Sequence, residues 1–311
     1  MYTATDPFAP ARESEILARL TDNWNQRVTV RKARLDLSDY YDTSAPDFPP
    51  SMVPFWDDPR FQAIDEAEKR RVLAGAWINY NEKTIFVEDK VINPLCSLLM
   101  KDALPGVDDI VSKKAIAQTQ VDEQFHILMC LEVCDCARRQ HRLQDLHIPT
   151  PLLGQRMDAS LAKAENEREY ALIRMAYATV AEMTINVFLK RLSQDRSIQP
   201  LNRLNTELHR QDEASHAAIF GEIARAVYEC LGTGQQAIFR AHLLRAIDDF
   251  VELDVGFWRV ILDHLEISER HGILQDMTAK SRASRSLRDY AALVKLLRQI
   301  GIDEGPSFIF Q

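Results

Sequence analysis

The stretch ELHRQDEASH, residues 207–216, concentrates metal-ligand side chains in a chain that has only eight histidines. A helix turns about 100° per residue, so His209, Glu213 and His216 would project within about 60° of one another. The same stripe continues one turn later as Ile219, so the face is apolar rather than solvated. We therefore expect the three side chains to point inward, where ionisable groups need partners or a metal ion.

The same pattern occurs once more, earlier in the chain, as DEQFH. Both copies read Asp-Glu-x-x-His, and they consist of Asp122, Glu123 and His126, and of Asp212, Glu213 and His216. Glu and His three residues apart lie on one face of a helix. Each of the two helices can therefore offer a carboxylate and an imidazole to one ion.

An isolated glutamate precedes each copy of the motif. Glu182 is the only charged residue of MAYATVAEMTINVFL, where a lone carboxylate is costly unless a cation neutralises it. In NEKTIFVEDK, Glu88 shares a helical face with Trp77, Asn81 and Thr84. The motif-bearing part of the chain thus contains two helix pairs, each of which supplies one Glu and then one Glu-x-x-His.

Two glutamates plus two Glu-x-x-His motifs form the ligand set of ferritin-like dinuclear carboxylate proteins. Oxygen donors with two imidazoles favour two iron or manganese ions. His209 is left open by spacing alone, either as a core histidine bonded to a carboxylate or as a third imidazole ligand. Asp122 and Asp212 each precede a motif histidine by four residues. Each is either the acceptor for that imidazole's second N–H or a surface residue.

The hydrophobic pattern predicts that these side chains lie on long helices, and it contains no convincing strand. The patterns cover about 63–91 with a stop near Pro94, then about 107–139, 159–192 and 201–231, and a fifth over about 236–265. We predict an all-α fold, a ferritin-like four-helix bundle core with additional flanking helices. Residues 1–60 hold an amphipathic stretch over 13–28 and a proline-rich strap, APDFPPSMVPFWDDP, expected to pack on the core. Residues 61–311 form the helical-bundle domain, and we expect a single domain overall.

Composition narrows the class of protein. The formal charge of -8 without a basic stripe argues against nucleic acid. No run of 18 uncharged apolar residues occurs, so no membrane span is expected, and the N-terminus does not resemble a secretory signal. Five cysteines, an odd number, favour a reducing cytoplasm, and Cys130 and Cys134 are expected to pack in the core.

Substrate contacts are less well defined by the pattern. Arg288, in the basic stretch SRASRSLRDY, is either an anchor for a substrate carboxylate or a surface ion pair. Asn81 and Asn186 lie on the ligand faces, and Tyr80 is nearby, so all three are candidates to line a substrate cavity.

The segments WINYNEKTIFVEDKV, VDEQFHILM, VAEMTINVFL and LHRQDEASH resemble the para-aminobenzoate N-oxygenase family, which comprises diiron arylamine oxygenases. The resemblance covers about 49–300 and includes SLRDY, but not the first 45 residues. In that family a histidine four residues before the second motif glutamate binds iron, and His209 occupies that position. The implied ligands are Glu88, Glu123, His126, Glu182, His209, Glu213 and His216.

The resemblance also implies an activity. Two iron ions would use O2 to oxidise a primary amine, an arylamine first of all, to a hydroxylamine and in some members to nitroso and nitro products in natural-product biosynthesis. Electrons would come from an external ferredoxin or reductase, because no G-x-G-x-x-G turn or other sign of flavin, NAD or haem is found. A homodimer is the expected assembly.

Other functions remain open from the sequence. A free or carrier-tethered amino acid is an alternative amine, and the same diiron core occurs in C-hydroxylases and desaturases. Two-histidine diiron oxygenases lack a counterpart of His209. An iron-handling protein is a different class, although such bundles are usually much shorter. A radical-generating subunit is disfavoured, since Tyr80 lies about 80° from the Glu88 direction.

Overall fold

The computed structural model describes residues 14–31, 40–281 and 291–302, which contain helices and turns but no strand. The all-α, ferritin-like prediction is confirmed. The helices are α1 Glu15–Asp22, α2 Trp24–Arg27, α3 Pro59–Gln62, α4 Glu66–Val87, α5 Asn93–Met100, α6 Ile110–His141, α7 Leu152–Leu161, α8 Glu167–Gln194, α9 Pro200–Cys230, α10 Thr233–Val251, α11 Val255–His264, α12 Arg270–Ser281 and α13 Ala291–Gln299.

Four of these helices, α4, α6, α8 and α9, form the bundle that carries the motifs. α8 packs on α9, α4 on α6, and α6 on α9. Each passes through two separate apolar clusters, one containing Ile116 and Ile223 and the other containing Trp77 and Val133. The order in which the helices meet these clusters makes α4 and α9 run one way and α6 and α8 the other. On α6 and α9 the motif residues fall between the two clusters, whereas Glu88 and Glu182 lie at the edge of the first cluster, so together they form a polar layer inside the bundle.

The N-terminal residues lie against the outside of this bundle. α1 packs on α6 and α9, with Leu17 buried in one apolar cluster. The stretch predicted as one amphipathic helix over 13–28 is divided, because Asn23 ends α1 and the backbone becomes extended at Val28.

The proline-rich strap packs on the second apolar cluster through Phe48, Val53 and Phe55. A 3₁₀ turn, Pro50–Met52, interrupts its extended course. Its start is tied to α9, because Asn202 Nδ2 donates to the Asp47 carbonyl at 2.8 Å.

The predicted stop near Pro94 is wrong, because the chain stays helical through α4, a π-helical turn over Glu88–Ile92, and α5. The π turn lets the helix continue past Pro94, although proline has no backbone N–H to donate. The Asn93 N–H bonds to the Glu88 carbonyl across this turn, and Pro94 is the second residue of α5, directly after the change in hydrogen-bond pattern.

Two other predicted boundaries were also wrong. The pattern assigned to 159–192 is two helices, since α7 ends at Leu161 and Asn166 caps the start of α8 by accepting from the Glu169 N–H. The pattern assigned to 236–265 is interrupted after Val251, where Asp254 caps α11 by accepting from Phe257 N–H. In both cases a side-chain cap begins a new helix inside an apolar pattern that continues across the break.

α8 is, within the described ranges, the one helix long and apolar enough to cross a membrane. In this fold 72% of its most apolar window is buried, and the helix packs between α9 and α10. Its apolar character is therefore that of the central core helix, which carries Glu182.

Gly106 joins α5 to α6 and so places the first Glu-x-x-His helix. Its φ is +85°, and an added Cβ would lie 2.6 Å from the carbonyl oxygen of Ala226 on α9. We predict that Gly106→Ala destabilises the protein by about 1–3 kcal/mol from backbone strain alone. Gly234→Ala in α10, where a Cβ meets nothing within 4 Å, is the control and should be neutral or slightly stabilising. Thermal unfolding of the two variants checks this, and equal melting temperatures would contradict it.

Candidate metal centre

The seven glutamates and histidines singled out from the sequence converge in the polar layer, and each is at most 2% exposed. Glu213 lies at the middle. Its Oε1 is 3.1 Å from His209 Nε2, 3.4 Å from His126 Nδ1 and 3.4 Å from His216 Nδ1. One carboxylate oxygen is thus within reach of three imidazoles that come from two helices.

The ligand atoms form two overlapping groups, each small enough to surround one ion. One group joins Glu88, His126, His209 and Glu213, and the other joins Glu123, His126, Glu213 and His216. Glu182 stands beside the second group, with its Oε2 at 3.9 Å from His216 Nδ1. The two groups share Glu213 and His126, so their ligand atoms could hold two adjacent ions.

Several of the ligand atoms lie close together without the geometry of a hydrogen bond. His216 Nδ1 and Glu123 Oε1 lie 2.9 Å apart, yet neither atom has a hydrogen-bond partner. Both oxygens of Glu88 and His126 Nδ1 are likewise buried without a hydrogen bond, although Glu88 Oε1 lies 3.1 Å from His209 Nε2 and His126 Nδ1 lies 3.4 Å from Glu213 Oε1. Buried polar atoms without partners are costly, so lone pairs aimed at shared points fit a metal pair better than they fit a hydrogen-bonded core. The residues present therefore fit two metal ions.

Glu88 sits at the first residue of the π-helical turn that ends α4. Such a turn inserts one extra residue into a helix and is frequent at functional sites. Here it lets Asn81 and Thr84 on the preceding turns and Val91 and Ile92 on the following one all be buried around Glu88.

Two aspartates hold the outer nitrogens of the motif histidines, but the pairing crosses between helices. His126 Nε2 lies 3.1 Å from Asp212 Oδ2, and His216 Nε2 lies 3.1 Å from Asp122 Oδ2. The sequence had suggested that each aspartate serves the histidine four residues later on its own helix. That pairing is wrong because a side chain four residues away on the same helix meets the imidazole along the helix axis, whereas the neighbouring helix faces its outer edge.

Burial and the charges of neighbouring groups shift the pKa values of these glutamates and histidines. Burial raises the pKa of Glu88 to about 7, against the effect of His209. Burial also raises the pKa of Glu182, and the charges of Glu213 and Glu123 add to it. Burial alone would lower the pKa of His216, but the carboxylates around it outweigh that effect and raise it above its usual value.

Two neighbouring cavities lie beside the metal centre. The inner one, of about 120 Å³, is lined by Val87 and Ala181, which adjoin Glu88 and Glu182 in the chain. The outer one, of about 380 Å³, extends toward the strap and α11. The side chains common to both linings are Tyr80, Lys83, Phe188, Phe250 and Val251. The inner lining is mostly apolar and borders the ligand helices directly.

The residues expected to bind substrate have different locations. Tyr80 lines both cavities with a buried, unpartnered hydroxyl, and burial raises its pKa. Asn81 is buried outside both linings, with its Nδ2 donating to the Trp77 carbonyl at 2.9 Å. Asn186 is half-buried and also lines neither cavity. Arg288 lies outside the described residues. Cys130 and Cys134 are buried, as expected of core residues.

Lys83 and Trp24 are functional candidates that the sequence did not reveal. Lys83 lies about 140° from the Glu88 direction on an ideal helix, so helical periodicity gave it no place near the metal ligands. Burial lowers the pKa of Lys83, with Asp254 opposing the shift, and no salt bridge to Lys83 occurs in the described part of the chain. Trp24 donates through its indole N–H to Asp122, a contact no local pattern announces.

Comparison with known proteins decides the family. The family model described as p-aminobenzoate N-oxygenase AurF matches residues 10–301. The chain belongs to this family. Its similarity to the 4-aminobenzoate N-oxygenase of Streptomyces thioluteus is 32% identity over 301 residues, covering 96% of this chain and 89% of that protein. The match includes N-terminal residues that the motif-based resemblance left out, so the segment carrying Trp24 is part of the family's fold.

As a member of the p-aminobenzoate N-oxygenase family, the protein is an oxygenase. Its buried Glu and His cluster is able to bind metal. The family assignment also agrees with the predicted enzyme class, and it identifies an amine as the kind of substrate.

Metal binding should release protons. The pKa values of His126 and His216 lie above their usual value, and that of Glu88 is about 7, so at pH 6.5 these groups mostly carry protons when no metal is bound. Metal needs their lone pairs, so affinity should rise with pH across about 6 to 8. Calorimetric titration in buffers of different ionisation enthalpy measures the protons released. A binding enthalpy independent of buffer, with an affinity unchanged over that range, would contradict the protonated cluster.

Proposed function

We propose that this protein is a non-haem diiron N-oxygenase that uses O2 to oxidise a primary arylamine to the hydroxylamine, with nitroso and nitro compounds as further products. The observation that carries the proposal is the pair of overlapping Glu and His groups beside an apolar cavity. The relative from Streptomyces thioluteus, named for N-oxygenation of 4-aminobenzoate, supports the substrate class.

The metal ligands in this proposal are the seven clustered residues. Glu88, His126, His209 and Glu213 surround one ion, and Glu123, Glu182, His216 and the shared Glu213 surround the other. Two iron ions fit because carboxylate oxygens dominate and imidazole nitrogens complete the set. When bound, such a pair supplies the electrons and the coordination that O2 reduction needs.

The chain's own residues orient the ligands and the substrate. Asp212 and Asp122 accept the outer N–H of His126 and His216, so the inner nitrogen of each ring is left with its lone pair. The apolar walls of the inner cavity exclude water from the region next to Glu88 and Glu182. A flat arene placed there would hold its amine toward the cluster.

Lys83 supports an anionic substituent on the substrate. Lys83 is half-buried at the junction of the two cavities, where burial lowers the pKa of its ammonium group and the charge of Asp254 opposes that shift. A substrate carboxylate would neutralise this group at the end of the molecule away from the amine. Lys83 thereby replaces Arg288 as our proposed carboxylate anchor.

The partners proposed with this function follow from the chemistry. Oxygenation consumes electrons, so an external ferredoxin or reductase is proposed as the donor. A cytoplasmic homodimer, acting in natural-product biosynthesis, remains our expectation. A free or carrier-tethered amino acid remains the alternative amine, and the apolar inner cavity favours the arene over it.

The direct test of function is turnover with a chemical reductant and ¹⁸O₂. Iron-loaded protein supplied with 4-aminobenzoate should give the ¹⁸O-labelled hydroxylamine and its further oxidation products, detected by mass spectrometry. A matched incubation with α-amino acids should give none. Ring-hydroxylated product, with the amine intact, would instead support C-hydroxylation.

We predict that Lys83→Met raises the KM for 4-aminobenzoate about 10- to 100-fold, as expected for loss of a hydrogen bond to a charged group. The metal content and the kcat should change little, because Lys83 contacts neither the ligands nor the amine. The neutral analogue 4-aminobenzamide should be turned over equally well by both proteins. Lys101→Met, at an exposed lysine beyond α5, is the matched control. An unchanged KM for the carboxylate substrate would remove Lys83 from recognition.

A further inference from the structure

The outermost contact of the metal centre comes from outside the four-helix bundle. Trp24 Nε1 donates to both oxygens of Asp122, at 2.9 Å and 3.0 Å. Asp122 Oδ2 in turn lies 3.1 Å from His216 Nε2. A continuous chain of polar contacts therefore runs from the indole of Trp24 through Asp122 to one imidazole of the cluster.

The other aspartate is held in a different way. Asp212, which pairs with His126, receives the backbone N–H of Thr29 on both oxygens at 3.2 Å. Thr29 is further fixed because its hydroxyl donates to the Leu208 carbonyl at 3.0 Å. Both aspartates are thus held by the N-terminal segment, but only Asp122 receives its hydrogen bond from a side chain of that segment.

Arg27, a half-buried residue of the same segment, interacts electrostatically with both aspartates. All three nitrogens of Arg27 are buried without a hydrogen-bond partner. Burial lowers the pKa of its guanidinium, and the negative charges of Asp122 and Asp212 oppose that shift. The segment 24–29 therefore supplies one indole donor, one backbone donor and one positive charge to the two aspartates.

We infer that Trp24 is a positioning residue for one of the two metal ions. Its indole N–H fixes the Asp122 carboxylate, and Asp122 fixes the ring of His216 so that Nδ1 faces Glu123 and Glu182. The other ion, held by Glu88, His209 and His126, is positioned without it. Trp24 thereby controls the occupancy of a single metal position, an inference that rests on the proposed metal centre.

The test is the replacement Trp24→Phe, which keeps a ring and removes the donor. Metal-depleted full-length protein is titrated anaerobically with Fe²⁺, and with Mn²⁺ as a redox-silent probe. Loss of an outer ligand partner typically costs 10- to 100-fold in metal affinity. We expect one of the two sites to weaken by about that factor while the other changes less than about twofold.

The control is Trp56→Phe, at another half-buried tryptophan of the N-terminal region, which packs on Phe61 away from the cluster. It should leave both affinities unchanged. A second variant replaces Trp24 with 3-(3-benzothienyl)alanine, which has the shape of tryptophan but a sulfur in place of the N–H. It should reproduce the one-site defect without altering the melting temperature of the metal-free protein.

A double-mutant cycle establishes whether Trp24 acts through Asp122. In an Asp122→Asn background, Trp24→Phe should add little further loss, whereas in an Asp212→Asn background the two losses should add. Equal weakening of both sites, or none in a variant that remains folded, would overturn the inference. If the unaltered protein itself binds fewer than two ions, the proposed metal centre fails instead, so the two failures are distinguishable.

Discussion

The main constraint on the structure is that four carboxylates and three imidazoles are buried in the middle of a helical bundle, which is energetically unfavourable. Such groups are tolerated in an apolar interior only when cations or hydrogen bonds compensate them. Here Glu213 approaches three histidines at once, while Glu88 Oε1 lies 3.1 Å from His209 Nε2 and neither Glu88 oxygen makes a well-directed hydrogen bond. The four long helices bring these groups together. Their apolar clusters stabilise the bundle, because the polar layer itself contributes little to the stability of the fold.

The surrounding elements follow from the same constraint. The π turn after α4 places Glu88 inward without ending the helix, and the crossed aspartates leave the inner ring nitrogens free. The aspartates themselves require donors, which the N-terminal segment provides through Trp24 and Thr29. The buried histidines therefore require the aspartates, and the aspartates require donors from the N-terminal segment, which packs on the outside of the bundle.

The sequence predicted most of the centre because helical periodicity is local. Glu123, His126, Glu213 and His216 share faces at spacings of three residues, and Glu182 stands alone in an apolar run. The helix ends were less predictable, since the side-chain caps that start α8 and α11 lie within apolar patterns that continue across the breaks.

Contacts between elements that are distant in the sequence could not be predicted. Trp24 and Asp122 meet only after folding, and nothing in either local pattern indicates the partner. The crossing of Asp122 to His216 and of Asp212 to His126 is likewise a property of helix packing. Lys83 could not be recognised from the sequence, because a single helix shows which way a side chain points but not that a cavity lined by α8 and α10 lies there.

The central claim is that the seven clustered residues hold two iron ions. The most direct measurement is X-ray diffraction from crystals of iron-loaded protein, collected on both sides of the iron absorption edge. The account predicts two anomalous peaks inside the bundle, one within bonding distance of Glu88 and His209 and the other of Glu123 and His216, with Glu213 contacting both. A single peak, or peaks only at the protein surface, would contradict it.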